Sequence, residues 1–234
     1  MIIPLIIPYF FSNIRHFQNK KLISVSPGGI KGFYLLGILT YIKEKYNISN
    51  YIFSGASAGS WCSLIMCMKD KFDLLNFMDD TIINSDSLYD IQYNIKNKLL
   101  NQYDDSDFDL NRIHIGVTNI NNFKFDTTIY SNFKDLESAI DCCIASSHIP
   151  FLSGKLFNKY NDKYSFDGGF SNYPYIKGIK PIIHIHPNIW NGKRNCKIDT
   201  TLFNIKKYNY TQLFLDGYND ALINKNFLDT IFYI

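Results

Sequence analysis

Twice between residues 22 and 68 the chain runs from a short β-prone stretch through a glycine-rich turn and directly into a helix. Leu22 to Ser26 stops at Pro27-Gly28-Gly29, after which Phe33, Leu35, Leu36, Leu39 and Ile42 recur at helical spacing. Tyr51 to Ser54 runs into Gly55-Ala56-Ser57-Ala58-Gly59, followed by Trp61, Leu64, Ile65 and Met68 on one helical face. A strand that turns tightly into a helix lays that helix back across the sheet. Repetition of the unit therefore predicts a layered α/β fold with a mainly parallel central sheet flanked by helices.

The rest of the chain extends this pattern. Phe72 to Asp80 and Leu88 to Leu100 read as amphipathic helices, and Ile113, Ile115 and Val117 alternate as a strand. Asn121-Asn122 reads as a hairpin turn into Phe123 to Tyr130. Asp135 to Ala145 returns to helix, Tyr164 to Phe166 is a brief strand ending at Asp167-Gly168-Gly169, Pro181 to Ile185 is a further strand, and Thr211 to Leu228 a closing helix. No repeat or low-complexity linker divides the chain. The expectation is one domain over 1–234, with its motif-bearing core at about 22–190 and an apolar N-terminal arm at 1–21.

Composition removes several classes of function. With 24 Lys and Arg against 21 Asp and Glu the net charge is only +3, and the basic residues are scattered, so no nucleic-acid partner is expected. The five cysteines form no CxxC pair, and Cys142 and Cys143 are adjacent, which points to a reducing, cytoplasmic compartment rather than a disulfide framework. Met1 to Phe11 is apolar but contains Pro4 and Pro8. As a helix it would rise only about 16 Å against a hydrocarbon core of about 30 Å, too little to span. Its positive charges (Arg15, Lys20, Lys21) follow the apolar stretch, the reverse of a secretory signal. It reads as an arm packed on the domain, with shallow insertion into a lipid interface as the alternative.

Chemistry concentrates in three places. Gly55-x-Ser57-x-Gly59 between a strand and a helix is the pattern of a nucleophile elbow, in which flanking glycines permit a strained turn and the serine hydroxyl stands clear of the sheet edge. Gly and Ser are common, so the strand-turn-helix context carries the assignment. Gly28-Gly29-Ile30-Lys31-Gly32 opens the first helix with unobstructed backbone N–H groups, as an anion or a developing oxyanion requires. It matches neither GxxxxGK[ST] nor GxGxxG, so an oxyanion hole serving Ser57 is the better reading than a phosphate loop. Asp167-Gly168-Gly169 puts a carboxylate on a tight turn at a strand end, which alone is a common turn signature.

Taken together and in this order, the three motifs resemble the patatin-like phospholipase family over roughly Leu22 to Pro174, and Ala145-Ser146-Ser147-His148-Ile149-Pro150 is similar to that family's segment leading toward its Asp-Gly-Gly motif. The resemblance implies a patatin-like layered fold and hydrolysis of lipid acyl esters by a Ser/Asp dyad through an acyl-enzyme. It places the nucleophile on Ser57, the base on Asp167 and the oxyanion donors on the backbone of Gly28, Gly29 and Ile30. It implies no metal or other cofactor, a membrane lipid or acylglycerol as substrate, and peripheral contact with membranes or lipid droplets. Two departures stand out: Pro27, which has no N–H to donate, occupies the place of a usual third glycine, and Lys31 replaces a common Arg. The turn from Asp167 to Pro174 also looks about one residue shorter than is usual in the family.

Other arrangements compete. The order Ser57, Asp167, then His184 or His186 is that of an α/β-hydrolase triad esterase, although it leaves the glycine loop and Asp-Gly-Gly unexplained. A lipid-binding protein with a decayed site is the non-enzymatic alternative, raised by Pro27 and Lys31. His184-x-His186 puts two rings on one strand face without an evident third metal ligand. Asp105, Asp107 and Asp109 alternate like half a calcium loop but lack its central glycine, and read as a solvated acidic loop.

Overall fold

The structure is a computed structural model that describes residues 20–78, 82, 84–121, 124–170, 176, 178–190 and 209–233. The apolar arm therefore falls outside the described residues, apart from Lys20 and Lys21. Among the described residues seven strands form one sheet: β1 (Lys21–Val25), β2 (Tyr51–Ala56), β3 (Ile113–Asn121), β4 (Lys124–Tyr130), β5 (Asn158–Tyr160), β6 (Lys163–Phe166) and β7 (Ile183–Ile185). The described helices are α1 (Gly32–Lys45), α2 (Ala58–Met66), α3 (Leu74–Phe77), α4 (Leu88–Gln102), α5 (Leu136–Ser146), α6 (Tyr210–Ile223) and α7 (Lys225–Phe232).

The mixed α/β class with helices against a central sheet is as the sequence pattern predicts. β7, β1, β2 and β3 pair in parallel, while β4 and β6 both pair antiparallel with β3, and β5 with β6. Ile23, Val25, Phe53, Ile113, Ile115 and Ile185 face one apolar core shared with α1, α2, α5 and α6. The two large hydrophobic helices after the glycine turns thus have their buried face fixed by the sheet. Where α1 meets α6 the backbones nearly touch: a Cβ on Gly37 would lie 2.0 Å from the Phe214 carbonyl, and one on Gly217 equally close to that of Tyr34.

Three elements differ from expectation. The helix expected from Phe72 is a single described turn, because Asp73 caps the amides of Leu75 and Asn76 and so starts it late. The closing helix is two, divided at Asn224. The short strand β5 is recruited by β6 rather than by its own apolar pattern, since Asn158-Lys159-Tyr160 carries no alternation of its own.

The mixed sheet also brings two strand ends together. β2 ends at Ala56, opposite Gly116 of β3, whereas β3 continues to Asn121. Antiparallel β6 then runs back along the edge that β2 leaves unpaired, pairing Ser165 with Asn119 and Phe166 with Thr118. Extending both registers by a single residue brings Ser57 and Asp167 opposite the same residue, Val117. The two strands occupy one lane and meet head on.

Candidate active site

Ser57 leaves β2 with φ 53° and ψ −129°, and α2 begins at the next residue. A non-glycine residue held there stores of order 1–3 kcal/mol of strain, which persists only when the surroundings enforce it. The surroundings do so through contact. A Cβ on Gly55 would lie 2.1 Å from the Gly59 carbonyl, and one on Gly59 would lie 2.5 Å from the Val25 carbonyl. Both glycines of the motif are thus required by backbone packing. The Ser57 amide donates to Ser146 Oγ at 2.8 Å, and Ser146 Oγ donates to the Gly116 carbonyl at 2.6 Å, which ties the turn to α5 and β3. Ser60 Oγ donates to the Ser57 carbonyl at 2.6 Å. Ser146 lies in the Ala145–Pro150 segment, but no spacing signal marked it as the anchor of the elbow.

The Ser57 hydroxyl lies beside the Asp167 carboxylate and favours its charged form. Asp167 is buried, and its Oδ1 also accepts the Gly169 amide at 2.7 Å, while its own amide donates to the His148 carbonyl at 2.8 Å. Burial pushes its pKa from 3.8 up to about 6, opposed by the Ser57 hydroxyl and the Gly169 amide. Gly168 is needed for approach: a Cβ there would lie 2.3 Å from the Gly116 carbonyl and 2.7 Å from Ala56 Cβ. The Pro27 ring packs on the same turn, 3.2 Å from where a Gly169 Cβ would stand. The residue that interrupts the glycine run therefore buttresses the Asp167 turn.

The glycine loop forms a 3-10 turn over Gly29–Lys31, with Gly29 at φ 52°. Its closing hydrogen bonds use the amides of Lys31 and Gly32, so those of Gly28, Gly29 and Ile30 take no part in closing it. Gly29, Ile30, Ser57 and Ala58 border one cavity of about 140 Å³. The Ala58 amide, at the N-terminus of α2, joins the candidate donors there. The cavity continues between α1, α2 and α4 past Trp61, Ile91 and Ile95 to Ile65 and Phe72, and no charged side chain lines it. At about 10–15 Å³ per water-sized position it holds on the order of ten such positions, the volume of a narrow channel.

The remaining sequence candidates lie elsewhere. His184 Nδ1 meets Ser24 Oγ at 2.7 Å, and its ring stacks on His186 at 5.3 Å between centroids. Burial lowers the His184 pKa to about 4. Asp105 Oδ1 caps α5 by accepting the Leu136 amide at 2.6 Å, and Asp104 and Asp107 form a capping box. Cys62, Cys67, Cys142 and Cys143 are free and buried, with thiols pushed well above their ordinary pKa by desolvation.

A strained strand-to-helix serine, a carboxylate brought to it on an Asp-Gly-Gly turn and a glycine loop beside both define the class. A model of the patatin-like phospholipase family matches residues 23–176, which takes in β1 through the Asp167 turn. The chain belongs to that family. Among its relatives is a protein called probable lipid hydrolase 463L, from Invertebrate iridescent virus 6, which is 28% identical over 249 residues covering 93% of this chain and 82% of that one. The crystal structure of VipD from Legionella pneumophila superposes with a TM-score of 0.41 at 17% identity, over 69% of this chain and 48% of VipD, so this chain spans about half of that protein's length.

Proposed function

We propose that Ser57 and Asp167 carry out the acyl-ester hydrolysis characteristic of this family, on a phospholipid or acylglycerol whose acyl chain lies in the apolar cavity. The observation that carries the reading is the Ser57 hydroxyl, presented on a strained turn, beside a desolvated carboxylate and bordering a cavity without charge. Asp167 accepts the hydroxyl proton as Oγ attacks the ester carbonyl, and the oxyanion forms against the amides of Gly28, Gly29, Ile30 and Ala58. Collapse breaks the ester C–O bond, and the leaving alkoxide takes the proton from Asp167. Water, deprotonated by Asp167, then attacks the acyl-enzyme, releasing fatty acid as Ser57 recovers its proton. A base with a pKa of about 6 suits this cycle, being ionised at neutral pH yet close enough to it to return the proton. Each oxyanion donor is worth about 2.7 to 4 kcal/mol.

A substrate of this kind lies in a bilayer or droplet, so the protein works in peripheral contact with one; among the described residues no helix is long and apolar enough to cross a membrane. The direct test is release of fatty acid from phospholipid and acylglycerol by purified protein, with fluorophosphonate labelling of Ser57. Label and turnover absent from a folded wild-type protein would instead favour the decayed lipid-binding alternative.

A further inference from the structure

The cavity beside Ser57 ends against a second one, and two side chains stand between them. On α2, Ala58, Trp61, Cys62 and Ile65 border the first cavity at the spacing of one helix face, so it follows that face from the serine toward the far end of the helix. Leu88, Ile91, Gln92 and Ile95 of α4 line it at the same spacing. The second cavity, of about 320 Å³, continues along α1: Phe33 and Leu36 border the first, and Thr40, Lys43 and Glu44, on the same helix face, border the second. Among the described residues only Ile65 and Phe72 border both.

The two cavities differ in character, and the partition between them is held in place. No charged side chain lines the first, whereas Lys43, Glu44, Lys69 and Lys71 line the second. Ile65 and Phe72 are both buried, and the Phe72 ring packs on Phe77 at 5.0 Å between centroids. Lys43 Nζ donates to the Met68 carbonyl at 2.7 Å and to that of Asp70 at 2.9 Å, and Lys71 pairs with Glu44, which ties the segment leading to Phe72 back onto α1. An alkyl chain that reaches this partition must displace a packed ring to go further, and beyond it would strip water from charged groups.

The distance to the partition fixes a length. From Ser57 to Ile65 the helix rises about 12 Å, at about 1.5 Å per residue. Carbon–carbon bonds of about 1.52 Å meeting at about 111° advance an extended chain by about 1.25 Å per carbon, so that distance takes about ten carbons. The first cavity's volume of about 140 Å³ agrees, since it holds on the order of ten positions the size of a water, which is close to that of a methylene.

We propose that Ile65 and Phe72 end the acyl channel and set the chain length it takes at about ten carbons, so that among phospholipid and acylglycerol esters those of medium-chain acids are preferred to those of long-chain acids. This rests on the acyl-hydrolase reading of Ser57. The full chain is assayed on p-nitrophenyl esters from butyrate to palmitate, all held in one detergent micelle of fixed composition, and each protein's rates are referred to its own rate on butyrate. In the wild type kcat/KM is expected to rise about fourfold per carbon, the worth of a buried methylene, up to about decanoate. It should then fall by about tenfold or more at palmitate. Phe72→Ala, which removes most of the partition, should bring palmitate to the decanoate rate or above it; Phe72→Leu, which keeps an apolar side chain but no ring, acts in the same direction if the alanine variant does not fold. Ile65→Phe, which brings the partition nearer the serine, should move the optimum to a shorter ester. Lys69→Ala changes the second cavity without touching the partition and should keep the wild-type profile. A wild-type rate that climbs on to palmitate overturns the proposal, as does an optimum that neither the Phe72 variants nor Ile65→Phe move, or one that Lys69→Ala moves as far as Phe72→Ala does. If instead the wild type turns over none of the esters, or Ser57→Ala turns over butyrate undiminished, the acyl-hydrolase reading fails and the proposal with it, an outcome distinct from a misplaced optimum in an active enzyme.

Discussion

Ser24 lies on β1 and Ser57 just beyond the end of adjacent β2, both buried, and each hydroxyl is beside a group able to take its proton. Ser24 has the imidazole of His184 at 2.7 Å, and Ser57 has the carboxylate of Asp167. Histidine is the stronger base in water, so partner chemistry alone would favour Ser24. Their backbones separate them. Ser24 is mid-strand, paired with Ser54 on one side and His184 on the other, and does not border the apolar cavity. Ser57 lies just beyond its strand at a positive φ, beside the glycine loop and at the cavity. A neighbouring proton acceptor is not enough to make a nucleophile. Under the proposed reading a route for the carbonyl and donors for its oxyanion are also needed, and the apolar cavity and the glycine loop lie beside Ser57 at the carboxyl end of β2.

Deleting each hydroxyl in turn separates the two serines most strongly. Ser57→Ala should lower kcat for ester hydrolysis by about 10⁴-fold or more and abolish fluorophosphonate labelling. Ser24→Ala should leave both near wild type, measured on protein whose circular dichroism is unchanged. Label retained in Ser57→Ala and lost in Ser24→Ala would reverse the assignment. Exchanging the partners gives the next largest effect. Asp167→Asn keeps the size of the side chain but loses the base, and should cost about 10³-fold in kcat, whereas His184→Gln should cost less than about threefold. A loss of several orders of magnitude in His184→Gln or His186→Ala would favour the triad esterase.

The pH profile sharpens the contrast in an unexpected sense. Burial favours the neutral form of each partner, so Asp167 moves up to about 6 and His184 down to about 4, reversing their order in water. The base must be unprotonated. A dyad using Asp167 should therefore lose kcat/KM about tenfold per pH unit below roughly 6, whereas a mechanism limited by His184 would hold its rate to about 4. Rates measured from pH 4 to 8 on a soluble ester decide between them. From the sequence alone the two limbs would be expected the other way round, at about 6.5 for histidine and from about 3.9 for aspartate.

That reversal marks where the sequence stops being legible. The strand-turn-helix units and their glycine turns were readable because each is a pattern within a few residues of sequence, although Gly59 is required by the backbone of the neighbouring strand, at Val25. The meeting of Ser57 with Asp167 is different. It follows from β6 running antiparallel into the lane that β2 vacates, a long-range pairing that no local pattern encodes; only the family resemblance joined the two residues. Ser146 was likewise invisible as an anchor, because its bonds to the Ser57 amide and the Gly116 carbonyl span three separate elements. Strand β5 was missed for the same reason.

The smallest expected effect is on stability, and it separates the two pairs by the sign of their pH dependence. The Asp167 pKa is raised in the folded protein, so its protonated form is bound more tightly there than in the unfolded chain, and its stabilising contribution is complete below about 3.8 and lost as pH rises through about 6. At neutral pH the ionised carboxylate then costs roughly 2–3 kcal/mol relative to its neutral form. Asp167→Asn, inactive as it is, should be the more stable protein at pH 7.5, by about 1–2 kcal/mol once imperfect pairing of the amide is allowed for, which is a rise in Tm of about 2–8 °C for a chain of this size. The gain should vanish near pH 4, where Asp167 is itself protonated. His184 has its pKa lowered, so its penalty appears as pH falls from about 6.5 toward 4, and His184→Gln should be favoured only on that acid side. Melting curves of both variants at the two pH values test the pair together. A carboxamide that destabilises equally at pH 4 and pH 7.5 would mean that Asp167 is held there as a structural hydrogen-bond acceptor, its burial compensated, and not as a base kept desolvated at a cost to the fold.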